Sequence, residues 1–109
     1  MTINDVLDPV LKLRLVEKRG VEEDFAEIVF HSKDTKLWVE ELKKTLGEPA
    51  KPAGERPGEE HLKLTEKYGG IWANQTLFFK NCGTFVFLGM FWPWSNGQQT
   101  TFKLVKTSP

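Results

Sequence analysis

Residues 81–97 read NCGTFVFLGMFWPWSNG, and the turn signals at the two ends of this stretch decide how the C-terminal half folds. Between them, Thr84 to Trp94 is apolar at both odd and even positions, as expected of a strand covered on both faces. Asn81-Cys82-Gly83 suits a three-residue hairpin loop with Gly83 left-handed, and Asn96-Gly97 is the favoured pair for a tight two-residue hairpin. Three antiparallel strands follow. The first loop sets Lys80 opposite Thr84, Phe79 opposite Phe85, Leu77 opposite Phe87 and Trp72 opposite Trp92. The second sets Phe91 opposite Phe102, Gly89 opposite Leu104, Leu88 opposite Val105 and Trp92 opposite Thr101.

These registers sort the side chains into two faces. One carries Ile71, Ala73, Leu77, Phe79, Phe85, Phe87, Phe91, Phe102 and Leu104, enough core for a helix to cover. The other carries Trp72, Asn74, Thr76, Phe78, Val86, Leu88, Met90, Trp92, Trp94, Thr101, Lys103 and Val105, which is too apolar for an ordinary solvent-facing sheet. A slip of one residue would exchange the faces, so the assignment rests on the turns. Pro93 cannot donate to a ladder and marks where the middle strand leaves the sheet.

Upstream, Leu11, Leu13 and Leu15 alternate with Lys12 and Arg14, the period of a half-buried strand. A helix capped by Asp8, opened by Pro9 and closed by Gly20 competes with it, but its apolar residues scatter around the wheel. The strand is the favoured reading, with Arg19-Gly20 as a turn and Phe25 to His31 returning with Ala26, Ile28 and Phe30 on one face. Helical spacing of Val21, Phe25, Ile28 and Val29 keeps a helix open there as well. Asp34-Thr35 caps a helix through Trp38, Val39, Leu42 and Leu46, which Gly47 and Pro49 stop. Residues 47–58, GEPAKPAGERPG, hold no large apolar side chain and read as a mobile exposed linker. A short helix over Glu59 to Lys67, ended by Gly69-Gly70, competes with an alternating reading of residues 61–64. The expected architecture is a single α+β domain over residues 1–109: a two-layer arrangement in which the meander and an N-terminal hairpin pack on one main helix.

Length and composition agree with one soluble globular domain: 109 residues, 39% hydrophobic, 12% aromatic and 28% charged. Fifteen basic residues balance fifteen acidic ones, so no global field draws the chain to nucleic acid or an anionic membrane. Residues 68–109 contain no Asp or Glu, only three lysines, and ten of the thirteen aromatic residues. The single cysteine, Cys82, excludes an intramolecular disulfide and fits a reducing, cytoplasmic setting. The N-terminus lacks a basic region followed by an apolar stretch, so it does not read as a secretory signal. The run from Thr84 to Trp94 is about half the ~20 residues a membrane helix needs.

No catalytic or metal pattern stands out. His31 and His61 are thirty residues apart, the acidic run Glu22-Glu23-Asp24 reads as solvated charge, and neither a cofactor nor a metal is expected. Cys82 beside Lys80 raises a thiol-enzyme reading, which lacks a base at any recognisable spacing. The stronger expectation is a non-catalytic interaction domain whose Trp-rich face holds a second copy or a protein partner through Trp72, Asn74, Met90, Trp92, Trp94, Thr101 and Lys103. Each buried ring would remove ~150 to 250 Å² from water, so two or three would supply several kcal/mol before association costs at ~25 cal/mol per Å². A sugar or nucleobase stacking on Trp72, Trp92 and Trp94 is the alternative, and nucleic acid is disfavoured because no arginine follows Arg56.

Overall fold

Ile3, Val6, Leu7 and Val10 recur at helical spacing, and all four are buried on one side of the first helix, α1 (Ile3–Val10). Thr2 and Asp5 cap it reciprocally: the Asp5 N–H donates to Thr2 Oγ1 (3.2 Å) and the Thr2 N–H to Asp5 Oδ2 (2.7 Å), which holds the Asp5 carboxyl below its ordinary value. The computed structural model describes residues 1–109. The remaining elements are β1 (Glu17–Val21), β2 (Phe25–His31), α2 (Thr35–Leu46), α3 (Glu59–Thr65), β3 (Thr76–Asn81), β4 (Val86–Pro93) and β5 (Gln99–Thr107). Short 3₁₀ turns precede α2 and follow α3. The fold is α+β: an antiparallel five-stranded sheet in the order β1-β2-β5-β4-β3, with α1 and α2 on one face.

The strand expected at Leu11–Leu15 is absent. Those leucines lie in the turn and extended segment after α1, half-buried against its core, and β1 begins only at Glu17. Arg19-Gly20 is not a turn but a bulge within β1, and the chain reverses at Glu22–Asp24, where the Glu22 N–H reaches the Phe25 carbonyl (2.7 Å). From there β2 runs as expected, Ala26, Ile28 and Phe30 facing the helices, and it pairs with β5 from Phe25↔Val105 to His31↔Gln99.

Helix α2 buries Trp38, Leu42 and Leu46. Trp38 stacks on Phe30 (centroids 4.3 Å apart, planes 11° apart), and Phe91 and Phe102 close around them edge-on. Asp34 occupies the cap position without capping; its carboxylate instead takes Arg14, at 3.1 to 3.2 Å. Gly89 lies opposite the end of α2, where a Cβ would come within 3.3 Å of Leu46 Cδ1 and 3.2 Å of Phe102 Cε1.

The β4–β5 pairing is as the sequence predicts: Phe91↔Phe102, Gly89↔Leu104, Leu88↔Val105 and Trp92↔Thr101. Pro93 ends β4 at an odd position, whose backbone points toward the β3 side, and β3 does not extend that far; no ladder bond is lost. The β3–β4 hairpin differs. Asn81 pairs with Val86 and Lys80 with Phe87, and the Cys82 N–H donates to the Phe85 carbonyl (2.9 Å), so the loop is Gly83-Thr84 rather than residues 81–83. Gly83 takes φ +94° at the first central position, the place a type II′ turn reserves for glycine, and Asn81 Oδ1 accepts its N–H (2.8 Å). The displacement is odd, so β3 turns over: Phe78 enters the helix-side core, while Leu77 and Phe79 join the second face.

That second face has its own cluster of Ile71, Leu77, Leu88, Met90 and Val105, over which α3 and the turn after it place Leu64 and Tyr68. Gly58 has no side chain with which to cap α3, and its N–H is taken by His61 Nδ1 (3.0 Å). Within residues 47–58, Lys51 is 1% exposed and forms a two-bond bridge to Leu77 on the edge of β3. Its ammonium donates to the carbonyls of Pro52 (2.8 Å), Ala73 (3.0 Å) and Gln75. No helix is long and apolar enough to cross a membrane.

Candidate functional site

Alternation along β4 and β5 puts Met90, Trp92, Thr101 and Lys103 on the second face, and Trp94 follows at the end of β4. β2 adds Glu27 and Val29 to that face, and β1 adds Glu17 and Arg19. α3 covers the β3–β4 side of the sheet, where Met90 lies with 0% exposure. This corrects the expectation for Met90: it lies in the core beneath α3 and is not part of an exposed face. Thr101 is also buried, but it has a polar task, accepting the Trp94 Nε1–H at 2.8 Å.

The other half of the face, toward β1, is overlaid by side chains rather than a helix. The Trp94 ring, tied at one end to Thr101 on β5, lies 5.4 Å from the Arg19 guanidinium on β1. It therefore spans the intervening β2 at Val29, which is wholly buried. Arg19 is held in turn by Glu17 (2.7 Å) and Glu27 (3.3 Å), whose hydrogen bonds raise its already high pKa. Beside this group the Lys103 ammonium sits 3.6 Å from the centre of the Trp92 ring. The rim of Trp92 abuts Gly69 so closely that a Cβ there would lie 2.3 Å from Trp92 Cη2, and Gly69 takes φ +98°, which suits glycine alone. Trp92 Nε1 is buried without a hydrogen-bond partner.

Trp72 does not join this row. Because β3 starts only at Thr76, Trp72 and Asn74 fall in the loop before it, where the Trp72 N–H binds Gln75 Oε1 (2.8 Å) and the ring is 67% exposed. The sequence-derived set thus divides into a joined group of Trp92, Trp94, Thr101 and Lys103, a buried Met90, and two loop residues. Arg19 and Glu27 were missed. Their assignment needs β1 and β2 to add to the edge of β5, and Arg19-Gly20 carries the local signal of a turn, not of a strand.

For stacking on a ligand, one face of Trp92 is already occupied by Lys103 and Trp94 carries Arg19. Cys82 is half-buried in the β3–β4 turn, and Lys80, the cation expected to favour its thiolate, donates to the Thr45 carbonyl instead (2.8 Å). No three His, Cys, Asp or Glu side chains converge to hold a metal ion. Compared with known proteins, the chain matches no family model, and no curated protein or solved structure is similar to it beyond chance.

Proposed function

We propose that the chain is a non-catalytic interaction module that associates, in the simplest case with a second copy of itself, through the half of its second face bearing Arg19, Glu27, Trp92, Trp94 and Lys103. The observation that carries this reading is the interleaving of two indoles with two cations beside α3, where Trp92 lies at the margin of the helix's cover and Trp94 beyond it. Trp and Arg are the residue types most enriched among those that dominate binding energy. The patch also carries both signs, with Glu17 and Glu27 holding Arg19. A twofold interface sets a patch against itself, so a surface of mixed sign faces its own copy without net repulsion.

Sedimentation velocity across a micromolar to millimolar series tests it. The expected result is a reversible dimer, with Arg19→Glu weakening association about tenfold or more by opposing like charges and freeing the Trp94 ring. A protein that stays monomeric throughout, or a dimer indifferent to both Arg19→Glu and Lys103→Glu, overturns the reading.

A further inference from the structure

β3 is an outer strand, and the chain lays a segment of its own along the open edge. The Lys51 N–H donates to the Leu77 carbonyl (3.2 Å) and the Leu77 N–H to the Lys51 carbonyl (2.9 Å), an antiparallel bridge. Its side chain fastens the same segment to the loop before β3, since the Lys51 ammonium (3.0 Å) and the Gly54 N–H (2.7 Å) both donate to the Ala73 carbonyl.

The added segment reads Pro49-Ala50-Lys51-Pro52, and it offers little to any further strand. Backbone groups alternate along a ladder, so with those of Lys51 turned toward β3, those of Ala50 and Pro52 face away. Pro52 has no N–H, and the Lys51 ammonium takes its carbonyl (2.8 Å). Proline and lysine at a sheet edge are common means of stopping edge-to-edge pairing. Continuing the register would set Pro49 opposite Phe79, where proline again has no N–H to give, so the pairing ends there.

The backbone groups of Phe79 and Asn81 point outward as those of Leu77 do, beyond the reach of this segment. While Leu77 is engaged, two copies that pair Phe79 with Asn81 must set Lys80 opposite Lys80, and like charges directly opposed destabilise a ladder. With Leu77 free, a twofold at Phe79 pairs Leu77 with Asn81 of a second copy and sets Lys80 opposite Phe78. That register is longer and has no opposed charges.

We infer that residues 49–52 are an edge guard latched by Lys51, and that its release turns β3 into a surface for a second copy, paired antiparallel about Phe79. This edge lies across the sheet from Arg19, so the inference stands or falls independently of association through the Trp94 side.

The test uses the full chain carrying Arg19→Glu, which suppresses the other mode of association, and compares Lys51 with Lys51→Met. With Lys51 in place, sedimentation velocity should find a monomer, and hydrogen exchange a protected Leu77 amide beside freely exchanging Phe79 and Asn81 amides. Lys51→Met should associate about tenfold or more tightly, its Leu77 amide open in dilute solution and Leu77, Phe79 and Asn81 all protected on concentration. Adding Phe79→Lys, which opposes like charges at the twofold, should abolish that association. If Lys51→Met loses its dispersed amide spectrum, Pro49→Gly with Pro52→Gly, which loosens the guard and keeps Lys51, should show the same change to a smaller extent. A released protein as monomeric as the Lys51 form, association that protects only β1 amides, or association indifferent to Phe79→Lys overturns the inference.

Discussion

The Lys51 ammonium spends all three of its N–H donors on backbone carbonyls, and the groups it joins come from two separate loops. Burial pushes its pKa down, since the charged form loses its water, while the Glu55 carboxylate works against that shift. Lys51→Met keeps the aliphatic stem and leaves the carbonyls of Pro52, Ala73 and Gln75 without their donor. We expect a loss of about 1 to 3 kcal/mol in urea unfolding, the usual cost of stranding buried polar groups. The pH dependence has a definite sign. The folded pKa lies below the unfolded value of 10.5, so between the two the unfolded chain binds the extra proton and stability rises with pH. The advantage of the native protein over Lys51→Met should therefore be smallest below that window and grow toward pH 10.5. An advantage that shrinks over the same range would contradict the burial argument.

At the scale of elements, the orientation of β3 separates the two registers. Phe78 is fully buried against Phe91, their rings edge-on at 5.7 Å, whereas Phe79 is half-buried on the α3 side. Phe78→Ala should cost about 3 to 5 kcal/mol, and Phe79→Ala roughly half as much, because less of its ring is removed from water. The reverse order, measured by guanidinium unfolding, would restore the three-residue loop. Here the limits of the sequence are plain. The β4–β5 register was legible because Asn96-Gly97 centres the turn, and α2 because its spacing and stop signals agree. β3 was not, since Gly83 fits either loop and Leu77, Phe78 and Phe79 are apolar on both faces, leaving no polarity to choose between them. Helix α1 was legible in principle, as Thr2 and Asp5 form a capping box before Ile3, Val6, Leu7 and Val10, but Asp8-Pro9 reads as the start of a helix, whereas Pro9 lies inside the last turn of α1. Of the candidate site, the Trp92–Thr101–Lys103 group followed from the β4–β5 register; Arg19 and Glu27 came from strand order, which no local signal encodes.

Across the whole molecule the two faces of the sheet are clad unequally. α1 and α2 pack on each other and bury a large aromatic core on one face, while the other depends on the seven-residue α3 and a layer of side chains. A helix that short has little stability of its own in water, so α3 is held by what Leu64, Thr65 and, in the turn after it, Tyr68 bury. β4 and β5, flanked by strands on both sides, can exchange their ladder amides only when the sheet comes apart. Native-state hydrogen exchange should therefore find two levels. Amides from Leu88 to Phe91 and from Phe102 to Val105 should exchange at the free energy of global unfolding, and those from Leu62 to Thr65 through a cheaper, local opening that is only weakly denaturant-dependent. That opening uncovers Leu77, Leu88 and Met90, and dimerisation through Trp94 should leave it nearly unchanged. α3 amides as protected as those of β4 would show instead that both faces open as one unit.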